Sequence, residues 1–130
     1  MSLIITGAGK TQALSYLVGK DTTVQNLVLK LFSNNTTLNE DILVSSFIEV
    51  TGGGYSSVVL QGESWSVGNS AAVYPQQTWE FTGSVGNVYG YYVTTLDNSS
   101  VVFAERFEDG PYNVSTSGDT IRVTLNLLIA

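Results

Sequence analysis

Alternation of apolar and polar positions is cleanest near the end of the chain. Over 121–129, Ile121, Val123, Leu125, Leu127 and Ile129 fall on one face, and Arg122, Thr124 and Asn126 on the other. Side chains of a strand point to opposite faces with a period of two, so this run predicts a strand that buries one face. Leu128 interrupts the polar set and predicts cover on both sides at that end. Upstream, residues 101–107 set Val101, Phe103, Glu105 and Phe107 against Val102, Ala104 and Arg106. The turn Leu96-Asp97-Asn98-Ser99 pairs that run with 88–95, because Asp and Asn bond their own backbone and tolerate left-handed conformations. Asp109-Gly110-Pro111 and Ser117-Gly118-Asp119 add two reversals, and successive reversals imply antiparallel pairing.

Earlier in the chain the pattern is mixed. Ala13, Leu14, Leu17 and Val18 fall at helical spacing, so 11–19 predicts one short helix, ended by Gly19 and dependent on docking. Residues 1–10 predict a flexible arm, and Asp21-Thr22-Thr23 a turn. In 24–33, Leu27, Leu29 and Leu31 alternate with Val28, Lys30 and Phe32; both sides are largely apolar, which predicts a central strand. A polar loop at 33–41 follows, then a short strand over 47–50. Gly52-Gly53-Gly54 predicts a sharp bend, a bulge or the close approach of another backbone. Further short runs lie at 55–61, 64–67, 71–74 (ending against Pro75) and 77–81, the last with Trp79 and Phe81 inward. Roughly eight or nine short strands at this spacing fit an all-β sandwich or barrel; the expected fold is an all-β antiparallel sandwich, with a jelly roll as one variant, carrying one short N-terminal helix. The domain reading is an arm over 1–10 and a single β-sandwich domain over 11–130.

Composition narrows the function classes. The 130 residues are enough for one hydrophobic core without staples. Charged residues make up only 12%, about half the usual fraction, so the surface repels other copies weakly and tolerates close packing against neighbours. Net charge is −6, and Lys10, Lys20, Lys30, Arg106 and Arg122 are scattered, which argues against nucleic acid as a partner. With no cysteine there is no disulfide framework or thiolate metal site; with no histidine the usual general base and commonest transition-metal ligand are missing. No apolar run of about twenty residues offers a membrane span. The start of the chain lacks the pattern of a signal peptide. Asn34, Asn35, Asn98 and Asn113 sit in N-x-Ser/Thr matches, which arise by chance in so Ser/Thr/Asn-rich a chain.

Candidate chemistry is weighed the same way. Gly7-Ala8-Gly9-Lys10-Thr11 resembles part of a phosphate loop, but Ile4 stands where that motif needs its first glycine. Glu105, Glu108 and Asp109 form the densest carboxylate group, without the spacing of a glycosidase pair or a calcium loop. Glu105 and Arg106 read more simply as salt-bridge partners. Tyr89, Tyr91 and Tyr92 with Trp65 and Trp79 are the components of a sugar-binding platform, and equally of a sheet core. Serines and threonines lack a partner that would activate them. These residues point away from an enzyme and imply no cofactor or metal.

Over most of its length, from Ala13 to Ile129, the chain resembles small structural proteins of tailed bacteriophages. The resemblance is carried by the ALSYLVGK helix, NLVLKLFSNN, FIEVTGGGYSSVVL, QQTWEFTGSVGNVYGYYV and the closing segment from Ala104, AERF…GP…GD. It is similar to capsid decoration, or cement, proteins. That implies a β module on the outer surface of the virion, often a homotrimer, that clamps neighbouring copies of the major capsid protein through buried contact area. Symmetric repetition would add avidity. On this reading the arm, with Thr6 and Lys10, and the polar loop, with Asn34, Asn35, Glu40 and Asp41, are the candidate partner contacts. A tail or fibre component that meets host surface glycans is one alternative, and a carbohydrate-binding module unrelated to phage, which the lack of a signal-peptide pattern disfavours, is the other.

Overall fold

The computed structural model describes residues 3–21 and 26–128. Ten strands and one helix follow in the order β1 (Ile4–Ile5), α1 (Gly7–Leu17), β2 (Leu27–Phe32), β3 (Val58–Leu60), β4 (Ser66–Gly68), β5 (Ala71–Glu80), β6 (Gly86–Val88), β7 (Gly90–Thr95), β8 (Val101–Arg106), β9 (Tyr112–Val114) and β10 (Thr120–Leu128). Short 3-10 turns lie at Val44–Ser46 and Gly62–Ser64. Among the described residues all pairing is antiparallel. One sheet has the order β1-β8-β7-β2-β3, a second β10-β5-β4, and β6 pairs with β9. The expected all-β antiparallel sandwich with one N-terminal helix is the observed fold.

The main core lies between the two larger sheets. Leu29, Leu31, Leu60, Tyr91, Val93 and Phe103 meet Tyr74, Trp79, Ile121, Val123 and Leu125 there. β2 is central, paired with β3 on one side and β7 on the other, and buried on both faces as its largely apolar run requires. Its second face carries Phe32, which packs with Ile42, Phe47, Tyr92, Val101 and Ala104 in a smaller core under the loop 33–50. Phe47 stacks on Tyr92 with ring centres 4.2 Å apart and meets Phe32 edge-on at 4.9 Å.

Several elements depart from the sequence expectation. The arm is not free in the described residues: Ile4 and Ile5 pair with Ala104 and Phe103, and helix α1 starts at Gly7 rather than at 11. Met1, Ser2, Thr22, Thr23, Val24 and Ile129 lie outside the described residues. The run 88–95 divides at Tyr89 into β6 and β7. The runs before and after Pro75 are one strand, β5; its extra residue lies between Tyr74 and Gln77, opposite Thr124, and a bulge is where a strand accommodates proline. The strand expected at 47–50 is a single bridge between Phe32 and Glu49. A second bulge displaces the alternation of β8: Thr94 faces Val101 while Val93 faces Phe103, so Val102 is extra and turns to the main core. Leu128, expected to be covered, is 58% exposed.

Two aromatic and charged readings resolve into structure. Tyr91, Tyr92 and Trp79 are core residues, and Trp65 packs edge-on to Tyr74 at 5.0 Å, so they form no exposed platform. Glu105 accepts a 2.7 Å hydrogen bond from the Tyr91 hydroxyl, while Arg106 donates to the Thr36 carbonyl at 2.6 Å and lies over the Tyr89 ring. They are therefore held by different partners and not by each other. Of the three glycines, Gly53 has a close backbone neighbour: its φ is +57°, and a Cβ there would lie 2.5 Å from Val85 and 2.9 Å from the Gly83 carbonyl oxygen.

Candidate functional site

An open cleft of about 590 Å³ lies where the start of α1, the loop 33–50 and the β7–β8 turn converge. That is within the size range of ligand-binding clefts. Ala8, Ile42, Val44 and Val101 contribute apolar lining, and Glu40, Asp41, Ser45, Ser99 and Ser100 polar lining.

Thr6 builds one wall. It is the N-cap of α1, with extended backbone, and its hydroxyl oxygen accepts from the Gly9 amide at 3.0 Å. The same hydroxyl donates into the β8 bulge, toward the carbonyls of Val101 and Val102, and the Thr6 amide donates to the Val102 carbonyl at 3.1 Å. The bulge that spoils the alternation of β8 is therefore the dock for the helix. Gly9 makes that dock possible: a Cβ on it would lie 2.2 Å from the Val102 carbonyl oxygen. The Gly7 amide donates to the Glu40 carbonyl at 2.9 Å, which ties the loop to the helix start. These contacts occupy amides that a phosphate loop would present to its anion.

The loop 33–50 is organised by Asn34. Its side-chain amide donates to the Ser46 carbonyl at 2.9 Å and accepts from the Ile48 amide at 2.8 Å. Asn39 accepts from the Asp41 amide at 2.9 Å, an Asx turn that sets the cleft rim. Ile42 and Phe47 anchor the loop in the smaller core. At the opposite rim, Asp97 accepts from the Thr95 and Ser99 hydroxyls, each at 2.7 Å, and from the Ser99 amide. Those bonds, the Ser99 hydroxyl first, hold its carboxyl below the usual aspartate range. Lys30 reaches this turn from beneath and donates to Asn98 at 2.6 Å.

Three of the six residues expected to contact a partner, Thr6, Glu40 and Asp41, line this cleft. Glu40 and Asp41 stand exposed on its rim, and Lys10 pairs with Glu40 just outside. Thr6 lines the wall, but its side chain is 1% exposed and its hydroxyl is used by the fold, so its expected contact role is corrected to a structural one. Asn34 is likewise committed to bracing its own loop. Asn35 is exposed and does not line the cleft. Ser99, Ser100, Leu43 and Val44 were not foreseen. Among the described residues no group of three acidic side chains is placed to hold a metal ion.

Helix α1 has an unusual relation to the body. None of its residues is buried, and Leu14, Leu17 and the following Val18 are 61%, 80% and 73% exposed. Its apolar stripe, expected to dock against the sheet, faces outward instead. The reason is the close approach at Gly9, where the backbone and the Thr6 cap make the attachment in place of the stripe.

The fold and site thus define a β-sandwich with one backbone-docked helix beside an open cleft. No family model, no curated protein and no solved structure matches the chain.

Proposed function

We propose that this chain is a docking module of a virion, a capsid decoration protein that sits on the outer shell and stabilises contacts between major capsid subunits. The observation that carries the reading is the outward apolar face of α1, Leu14, Leu17 and Val18, held against a rigid sandwich. Contiguous exposed apolar side chains rimmed by polar residues mark interaction sites. A helix fixed by its cap and backbone is already ordered before it binds, so association costs less conformational entropy. The low charge content suits dense packing beside other subunits. The cleft at the helix start offers a second, more polar contact, with Glu40 and Asp41 on its rim. The mechanism is buried contact area and avidity on a repetitive lattice, with no chemical step.

The test is co-sedimentation with purified shells. The double variant Leu14→Ser/Leu17→Ser changes exposed side chains and leaves the fold intact. Loss of shell binding with an unchanged unfolding midpoint supports the docking face. Binding that is equal to wild type excludes it.

A further inference from the structure

We infer that β10 is a self-pairing edge, through which two copies of this chain join their sheets about a two-fold axis at Thr124. The edges of the two larger sheets are unequal. β1, β3 and β4 have two, three and three residues, whereas β10 has nine. Very short edge strands are a common protection against unwanted pairing, and bulges on the edge are another. β10 has neither. The bulge in its ladder lies on the interior strand β5, between Tyr74 and Gln77, so β10 itself runs in unbroken register. Its burial alternates without a slip: Ile121, Val123 and Leu125 are 3%, 4% and 1% exposed, and Thr120, Arg122, Thr124 and Asn126 are exposed. Among the described residues no strand lies on the side away from β5.

The occupant that fits is a second β10. In an antiparallel pair centred on Thr124, Val123 faces Leu125 of the second copy and Ile121 faces Leu127, so both apolar faces fall on the core side and the two cores become continuous. On the outer face Thr124 meets Thr124, Arg122 meets Asn126 and Thr120 meets Leu128. No like charges stand opposite each other, and Leu128, 58% exposed in the single chain, gains a neighbour. Nine residues is long for a strand, so the free backbone groups along this edge are many. The contact is isologous: each patch is its own complement, which closes as a dimer. Three-fold closure, the assembly implied by the phage resemblance, needs two different patches. This inference is independent of what the helix face binds.

The experiment is sedimentation equilibrium over a range of protein concentrations, on the wild-type chain and two variants. The wild type is expected to show a monomer–dimer equilibrium. Thr124→Lys places two ammonium groups opposite each other at the axis and is expected to weaken association about fivefold, while Asn126→Asp sets a carboxylate opposite each Arg122 and tightens it about fivefold. Both sites are exposed, so the unfolding midpoint measured on the dilute monomer is expected to stay unchanged. A chain that remains monomeric at millimolar concentration overturns the inference. So does a trimer, or a dimer that neither substitution affects.

Discussion

Substituting Gly9 by alanine separates helix propensity from docking. Residue 9 lies in the first turns of α1, where alanine is favoured over glycine by about 1 kcal/mol on propensity alone. The structure predicts the opposite sign. The new methyl would lie 2.2 Å from the Val102 carbonyl oxygen and 3.0 Å from the carbonyl carbon, both backbone atoms that cannot swing aside. Restoring an ordinary carbon–oxygen contact requires the helix to move out by about 1 Å. That movement takes the Thr6 amide, now 3.1 Å from the same oxygen, out of hydrogen-bond range and strains both contacts of the Thr6 hydroxyl. Two hydrogen bonds at about 1 kcal/mol each, with overpacking of about 1–3 kcal/mol, outweigh the propensity gain. The expected net loss is about 2–4 kcal/mol, or a fall of about 6–20 °C in unfolding midpoint for a domain of this size. Thermal and urea unfolding followed by circular dichroism measure it. Ala13→Gly, at an exposed helix position, is the control and is expected to lose about 1 kcal/mol through propensity. A Gly9→Ala protein as stable as wild type, or more stable, would refute the docking geometry.

Other outcomes follow from the same contacts. Thr6→Val keeps the branched shape but leaves the Gly9 amide and the bulge carbonyls without their hydroxyl partner; a loss of about 1–3 kcal/mol in urea unfolding is expected, and a change below about 0.5 kcal/mol would show the cap to be dispensable. Asn34→Ala removes the brace between 34 and the residues 46 and 48, so hydrogen exchange of the Ile48 amide should accelerate while β10 amides stay protected; equal rates in both proteins would count against it. In acid, Asp97 and Asp119 are both held below the ordinary aspartate range, the first mainly by Ser99 and Thr95, the second by the Ser115 and Thr116 amides. Depressed folded-state values mean that their contribution is present above the unfolded-state value and lost as pH falls through the folded one; Asp97→Asn should therefore flatten the acid limb of stability against pH. In alkali, Tyr55 and Tyr91 are pushed above the ordinary tyrosine range, by burial first and then by the Glu49 and Glu105 carboxylates they bond. Their contribution is complete below the unfolded-state tyrosine value and is lost as pH rises through the folded one, so absorbance titration should show tyrosines that ionise only as the protein unfolds.

How much of this was legible in the sequence varies with the element. β10 was readable because Ile121, Val123 and Leu125 are buried on one face and the period of two holds from Thr120 to Leu127. β2 was readable as central because both its faces are apolar. The start of α1 was not: Gly7 and Gly9 are poor helix formers, and local propensity speaks against a helix there. The glycine at 9 is explained only by a carbonyl 93 residues further along the chain. The bulge at Val102 was hidden for a related reason, since an extra residue in a strand leaves an apolar sequence apolar. Pro75 suggested a break where the strand continues through a bulge. For the site, Glu40 and Asp41 carried a usable signal as exposed acids in a polar loop. Their meeting with Ser99 and Ser100 depends on tertiary packing, which no local pattern records.

The central claim, that the chain acts by docking on a repetitive shell, is tested most directly by counting it. Quantitative mass spectrometry of purified phage particles from the source of the sequence gives the ratio of this chain to the major shell subunit. A near-stoichiometric ratio is the predicted result, with loss of particle stability when the chain is removed. A few copies per particle would move the chain to the tail and make host binding its role, and absence from the particle would contradict the virion reading altogether.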